Sequence, residues 1–410
     1  MPDNHLQFDG ARVLADLNAL RGIGAYKTGV HKPTFSEPHM RSLEWLAHRL
    51  AEAGLVVTID GIGNVLGTVA KSGPKLLAGS HLESQNLAGW LDGPLGVVYA
   101  LEAARVINPD PNVNGAVEVA AWCDEEGHFG HFLGSRSYVG GVTEADIDTA
   151  RDRSSGRTMR EALREVGLAG RARARAERGR HIGYIEAHIE QGRTLESGDL
   201  RIGVVTSIVG IWQYRITFSG EQNHAGTTRM DIRKDAGLAL TRFCVDIDDR
   251  FPKACGPDTV WTTGRISLDP GAPSIIPGSA EMLFQMRDDD PGVIGRLEDL
   301  LRSMAAHVTA QGRCSVAVER LRTGIPAMMD ATFQHAIEAA SAVFAGGRSV
   351  RMRSSAGHDA QVLATIMPAG MMFVPSIGGI SHHWNENTDD ADIVTGAQVF
   401  VEACRRLLTQ

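Results

Sequence analysis

Metal-ligating residue types stand at intervals along this chain, mostly where an apolar run gives way to a polar or glycine-rich one. His81 closes the run Leu77-Ala78-Gly79-Ser80-His81, Asp92 precedes Gly93-Pro94, and Glu125-Glu126 follow an apolar run ending at Trp122. His188 opens His188-Ile189-Glu190-Gln191-Gly192, and His382 closes Gly379-Ile380-Ser381-His382. Together they supply three imidazoles, two carboxylate positions and one further acid placed to act as a base. A two-metal hydrolytic site needs that complement, with room for water between the ions. No single member carries the reading, since the chain has 15 histidines and adjacent glutamates are common on helix faces. The combination carries it.

The residues between say what holds those side chains. Leu43, Leu46, Ala47, Leu50 and Ala51 have helical spacing over 41–53, with Gly54 as the stop. Strands are expected at 55–59 and 65–69 about the turn-prone 60–64, at 76–81 and at 115–122, with a helix over 93–106. His81 and the acidic pair then sit at or just past strand ends, where open α/β sheets bind their ligands. His188 and His382 fall in glycine-flanked polar segments. Near residue 210 the pattern changes. A strand over 211–220, a helix over 233–249, strands over 260–268 and 280–288, a helix over 292–312 and a strand over 314–321 make a β-α-β-β-α-β order, the ferredoxin-like arrangement. The expected fold class is α/β, with one domain at 1–210 and 324–410 and an inserted α+β domain at 211–323.

A chain of 410 residues exceeds one ordinary core, and its 43% hydrophobic content is that of a globular protein. No apolar run approaches the ~20 residues of a membrane span. Met1-Pro2-Asp3-Asn4-His5 lacks the charged start and apolar core of a leader. A cytoplasmic location with no membrane partner is therefore expected. The net charge of -8 argues against nucleic acid as a partner. The Arg-rich stretch 151–180, with Arg171, Arg173, Arg175, Arg178 and Arg180, has no aromatic residue to stack on bases and reads as a solvated helix face and loop. Five cysteines, odd in number and without a CxxC pair, read as buried free thiols in a reducing compartment. Cys123, two residues before Glu125, reads as a small buried filler.

With these motifs in view, the chain resembles the N-carbamoyl-L-amino-acid hydrolase, allantoate amidohydrolase and β-ureidopropionase group. This is the hydantoinase–carbamoylase family of dinuclear-metal amidases, in the carboxypeptidase G-like superfamily. The likeness covers 43–392 and rests on the ligand segments together with Asn223-His224-Ala225-Gly226-Thr227-Thr228, Ile276-Pro277-Gly278 and Ala356-Gly357-His358-Asp359-Ala360. It implies a mixed-sheet, metallopeptidase-like catalytic domain and makes the insert at 211–323 a lid and dimerisation domain. It implies two divalent ions per subunit: His81, Asp92 and His188 for one, Asp92, Glu126 and His382 for the other, Asp92 bridging. Zinc is expected; manganese, cobalt and nickel suit the same donors. Glu125 becomes the general base. His224, supplied across a homodimer interface, becomes the oxyanion donor. Gln191 is implied to bind the carbamoyl group and Arg287 to clamp a carboxylate as a bidentate fork. Gly357 and His358 belong to the substrate-binding motif, where His358, like Glu190, suits second-rank support of the ligands equally well.

The departures bear on substrate. Glu83 stands where the family usually has aspartate orienting the first imidazole, and that role is expected to survive with altered geometry. Ser274 replaces a substrate-contacting asparagine, so one contact is lost or relayed by water. Arg229 replaces a proline as an extra anion contact or a plain surface charge, and 85–90 replaces a more glycine-rich loop. The implied activity is hydrolysis of a small carboxylated ureido substrate, an N-carbamoyl amino acid, to the amino acid, carbon dioxide and ammonia. Allantoate or ureidoglycolate hydrolysis, or cleavage of N-acyl amino acids or dipeptides, remains open. A non-catalytic binding protein on the same fold would have lost a ligand or Glu125, and none is lost.

Overall fold

The structure, a computed structural model, describes residues 7–409; the segment 1–5 read for a leader lies outside them. Two compact units divide the chain: Met1–Thr206 with Met328–Ser354 and His358–Gln410, and Ser207–Ala327 with Ser355–Gly357.

The first unit is built on a nine-stranded mixed sheet. Val56–Ile59, Val65–Thr68, Ala116–Trp122, Lys75–His81, His181–Ile189, Ala369–Val374 and Ile202–Ile208 follow in that order, with Ala327–Met328 and Ser349–Ser354 pairing to the last. The four strands from Ala116–Trp122 to Ala369–Val374 run parallel; Val56–Ile59 with Val65–Thr68, Val65–Thr68 with Ala116–Trp122, and Ala369–Val374 with Ile202–Ile208 pair antiparallel. Parallel strands covered on both faces show no alternation of burial. Every residue of Ala116–Trp122 is buried, and so are the last seven of His181–Ile189. His188 therefore lies inside a buried strand, not in the polar segment its glycine and glutamate neighbours suggested.

Helix Pro94–Ile107 begins two residues after Asp92, and all of its 14 residues are buried. It packs on the sheet on one side and on helices Gly10–Gly22 and Asp390–Leu408 on the other, which explains an apolar composition all round. Its Glu102 accepts from Arg12 Nε at 2.9 Å and Nη2 at 2.6 Å, and its Arg105 donates to Asp16 at 2.6 Å. Val97, Val98, Leu101 and Ile107 are fully buried, each worth roughly 1.5–3 kcal/mol. Asp92, two residues before this helix, is thus anchored to the core.

The second unit has a four-stranded antiparallel sheet in the order Val260–Asp269, Ser279–Asp288, Gly210–Ser219, Ser315–Thr323, the ferredoxin-like order. Burial alternates along Ser279–Asp288, and Ala280, Met282, Phe284 and Met286 pack with Phe243, Leu297 and Leu301 of helices Ala236–Arg250 and Pro291–Ala310. The first of these helices starts at Ala236, later than its pattern suggests, because Asp235 caps it by accepting from Leu238 N at 2.9 Å.

No helix among the described residues is long and apolar enough to cross a membrane. The Arg-rich stretch is largely tied to its own chain: Arg160 to Asp148, Arg173 to Glu144 and Arg180 to Glu118, each at 2.8 Å. All five cysteines are free; Cys123, Cys314 and Cys404 are buried, while Cys244 and Cys255 are only half-buried, against expectation.

Candidate metal centre

The parallel strands deliver the candidate ligands to their carboxyl ends, on one side of the sheet. His81 ends Lys75–His81, His188 is the penultimate residue of His181–Ile189, Glu125 and Glu126 follow Ala116–Trp122, and His382 lies in the segment after Ala369–Val374. Asp92 is brought to them by the turn into helix Pro94–Ile107. Gly93 there has φ 82°, and a Cβ on it would fall 2.5 Å from Cε1 and Nδ1 of His81; only glycine lets the backbone pass under that ring.

Two triads result. His81 Nε2 lies 3.4 Å and His188 Nε2 3.0 Å from Asp92 Oδ1, while His382 Nε2 lies 3.2 Å from Asp92 Oδ2 and 3.7 Å from Glu126 Oε2. Within each of His81–Asp92–His188 and Asp92–Glu126–His382, one ligand atom per residue lies within 4.8 Å of the others. The hydrogen bonding of the rings tests whether a cation fits. His81 Nδ1 faces Glu83 O at 3.2 Å and His188 Nδ1 faces Ile189 O at 3.0 Å. A carbonyl only accepts, so Nδ1 carries the proton and Nε2 presents a lone pair. Both Nε2 atoms are buried without a hydrogen-bond partner, and each faces a carboxylate oxygen. Acceptor facing acceptor needs a cation between, and imidazole with carboxylate is a fitting donor set for a divalent metal.

The titration behaviour shows the same demand. Burial opposes charge on the rings, yet Glu125 and Asp92 carry His81 well above the usual imidazole range and Asp92 carries His188 above it. His382, against its own burial, is raised to about 9 by Asp92 and Glu126. Burial favours a neutral Asp92, but His188, His382 and His81 hold it well below the usual carboxylate range.

Glu125 belongs to neither triad. Its Oε2 is 3.7 Å from His81 Nε2. Burial raises its pKa well above the ordinary value; His81 opposes this, while Glu126, Asp359 and Asp92 add to it. A buried acid so perturbed, beside a candidate ion site and in neither triad, is placed to take and return a proton.

Several side chains that hold this geometry were not legible as functional. Asp124 has φ 61°, and its carboxylate accepts from Thr34 Oγ1 at 2.7 Å and from the amides of His128, Phe129 and Gly130 at 2.9, 3.0 and 2.8 Å, closing the turn that follows the strand. Gln85 donates to Glu126 Oε1 through its amide N at 3.1 Å and to Oε2 through Nε2 at 2.6 Å. Arg153 holds the Gln85 side-chain oxygen, giving one residue of the Arg-rich stretch a place near the site.

Glu83 departs from its expected role. Its backbone carbonyl, not its side chain, accepts from His81 Nδ1; the carboxylate oxygen is 3.8 Å away. That carboxylate instead accepts from Glu125 N at 2.6 Å and Glu126 N at 3.4 Å. The extra methylene relative to aspartate carries it past the ring to the acidic pair.

The other candidates divide between the units. In the first, Gln191, at φ 58°, donates from Nε2 to Asp92 Oδ2 at 2.8 Å and Ser381 Oγ at 3.1 Å. His358 is buried, with Nε2 3.0 Å from Ser354 Oγ and its ring 4.6 Å from that of His188. Glu190 caps a turn, accepting from Thr194 N at 2.7 Å and Leu195 N at 2.8 Å. In the second unit, His224 Nδ1 accepts from Gly226 N at 3.0 Å and Thr227 N at 3.1 Å, so the proton sits on Nε2 of an exposed ring. Ser274 O accepts from Ala225 N at 2.9 Å. Arg287 is half-buried, donates to Ser355 O at 2.7 Å, and has no carboxylate partner among the described residues; Gly357 belongs to the same short segment. Arg229 pairs with Asp231 at 2.8 Å on the surface.

Comparison with known proteins adds identity to this geometry. Residues 75–406 match the model of peptidase family M20/M25/M40. The N-carbamoyl-L-amino-acid amidohydrolase of Paenarthrobacter aurescens is 34% identical over 405 residues, 97% of each chain. The allantoate amidohydrolase of Bacillus subtilis (strain 168) is 30% identical over 382 residues, 89% of this chain and 90% of its own. The crystal structure of an amidase (hydantoinase/carbamoylase family) from Burkholderia phymatum aligns with TM-score 0.88 and 42% identity, covering 98% of each chain. The class is thereby defined: this is a hydrolase acting on carbon–nitrogen bonds. More narrowly, the chain belongs to peptidase family M20/M25/M40.

Proposed function

We propose that the protein is a metal-dependent amidohydrolase that cleaves an N-carbamoyl amino acid to the free amino acid, carbon dioxide and ammonia. The observation that carries this reading is the pair of triads sharing Asp92, with buried imidazole lone pairs aimed at its carboxylate. Two divalent ions, zinc in our reading, would be held there by His81, Asp92 and His188 and by Asp92, Glu126 and His382; when bound they supply Lewis acidity that makes water a nucleophile near neutral pH.

The protein's own groups do the rest. Glu125 takes the proton of the attacking water and delivers it to the departing nitrogen. His224 donates its Nε2 proton to the developing oxyanion, reaching from one subunit of a homodimer to the site of the other. Arg287, a guanidinium without a carboxylate of its own, takes the substrate carboxylate. Gln191 turns its amide to the carbamoyl group, and Ser274, Gly357 and His358 complete the substrate surroundings. Loss of ammonia leaves a carbamic acid, which releases carbon dioxide to give the amine. The five free thiols support a cytoplasmic setting, and the internally paired arginines support the absence of a nucleic-acid partner.

The relative named for allantoate, nearly as similar as the one named for N-carbamoyl amino acids, favours a second reading in which allantoate is the substrate. Ammonia release by metal-stripped enzyme with zinc, manganese or cobalt restored separates them. The panel holds N-carbamoyl amino acids, N-carbamoyl-β-alanine, allantoate and ureidoglycolate, with N-acetyl amino acids and dipeptides assayed for free amine. Metal-dependent activity on N-carbamoyl amino acids is expected. Activity on allantoate alone selects the second reading, and activity only on acyl compounds removes both.

A further inference from the structure

We infer that Glu386 is a positioning residue: its buried carboxylate ties the segment that presents Asp92 to the segment that presents His382, and so sets how tightly the second triad takes an ion. The inference rests on the two-ion reading of the site. Glu386 is 1% exposed. Its Oε1 accepts from the backbone N–H of Leu91 and of Asp92, each at 3.1 Å. Its Oε2 accepts from Ser381 Oγ at 3.0 Å, the residue before His382. One oxygen thus grips the backbone behind Asp92, leaving that side chain free, while the other grips the neighbour of His382.

The fit is close on both sides. A Cβ on Gly89 would lie 1.9 Å from Glu386 Cδ, so the glycine makes room for the acid. Among the described residues no cationic side chain pairs with this carboxylate, and a buried carboxylate held only by neutral donors costs several kcal/mol to keep. Nothing in helix or core packing requires an acid there. Ties to both ligand segments do.

Ser381 explains why the group is an acid and not an amide. Its hydroxyl also lies 3.3 Å from Asp92 Oδ2 and accepts from Gln191 Nε2 at 3.1 Å. A hydroxyl has one proton to give, and the shorter contact gives it to Glu386. With glutamine at this position, the amide oxygen still accepts from Leu91 and Asp92, but its NH2 faces Ser381 Oγ. The serine proton then turns to Asp92 Oδ2, where it competes with an ion.

The test uses full-length metal-stripped protein, titrated with zinc against a competing chelator, with hydrogen exchange read at Leu91 and Asp92. Wild type is expected to bind two zinc ions and to protect both amides. Glu386→Gln keeps the protection and weakens one of the two zinc ions about 10-fold; Glu386→Ala loses the protection and weakens the same ion by about 10- to 100-fold. Gly89→Ala, which displaces the acid, should follow the alanine variant. A folded Glu386→Ala protein with wild-type affinity for both ions, or with wild-type exchange at Leu91 and Asp92, overturns the inference. If that variant does not fold, wild-type affinity for both ions in Glu386→Gln overturns it. Should wild type itself bind no zinc, the two-ion reading fails, and the exchange measurement still decides whether the tie exists.

Discussion

Shortening Glu83 by one methylene tests how Glu125, the base of the proposed reaction, is held. In Glu83→Asp the carboxylate withdraws from Glu125 N, now 2.6 Å from Oε1, and from Glu126 N at 3.4 Å. A hydrogen bond to a charged acceptor is worth about 1.5–3 kcal/mol, and a freed buried amide costs about 1–3 kcal/mol; the two overlap, so a loss of about 2–4 kcal/mol is expected. His39 offers no replacement acceptor for these amides. Phe35 N donates to its Nδ1 at 3.0 Å, so its Nε2–H points toward Glu83 Oε2 at 3.7 Å; burial, against the pull of Glu83, lowers its pKa to about 4 and keeps it neutral. A domain stable by about 5–15 kcal/mol survives the loss, but Glu125 shifts, and a displacement of ~1 Å in a reacting group costs about 100-fold in rate. The first triad is spared, because His81 is oriented by the Glu83 backbone carbonyl. Urea denaturation of the metal-free protein, zinc affinity, and kcat on the best substrate of the panel read the three effects. Wild-type stability and kcat would refute the tie to the acidic pair, and selective loss of the first ion would show that the side chain orients His81 after all.

Lys32 is 1% exposed, and among the described residues its Nζ donates only to Leu20 O, at 2.7 Å; burial lowers its pKa from 10.5 to about 7. The unfolded chain therefore binds an extra proton between those values, so this group penalises folding fully below pH 7, less as pH rises, and not at all above the unfolded pKa. Lys32→Met is expected to stabilise by a few kcal/mol at pH 6.5, with the gain in Tm shrinking toward pH 9; a gain independent of pH contradicts the assignment. His224→Asn should lower kcat by about 100- to 1000-fold while metal content by plasma emission stays at the wild-type level, and loss of metal would show His224 to be a ligand. Arg287→Lys should raise KM for carboxylated substrates about 10-fold or more with little change in kcat; an unchanged KM rules out the clamp.

The strands and helices were largely legible because their burial repeats follow the sequence: Ser279–Asp288 alternates as a one-faced strand must, and the residues of Ala116–Trp122 are nearly all apolar as a two-faced one must be. His188 misled because Glu186 and His188 give its strand a polar look, although both side chains are fully buried. The candidate ligand types, and the order in which they come, could be read along the chain. What held them could not. Glu83 reaches residues 42 and 43 positions away and Glu386 reaches Asp92 across 294, and no local pattern marks such partners. Nor does sequence announce a buried lysine: nothing in His31-Lys32-Pro33 marks Lys32 as buried.

The place of Ala369–Val374, between His181–Ile189 and Ile202–Ile208, has a consequence for synthesis. A ribosome makes both neighbours early, then the whole of Ser207–Ala327, before the strand that belongs between them emerges. Until then the nascent sheet carries an open slot with two apolar edges, the condition under which chains mispair and aggregate. His382 arrives later still, so a partly made chain has no second triad to load. Termination between Ile208 and Ala369 leaves a sticky fragment and a client for chaperones, whereas the finished chain first closes the slot and then brings in His382.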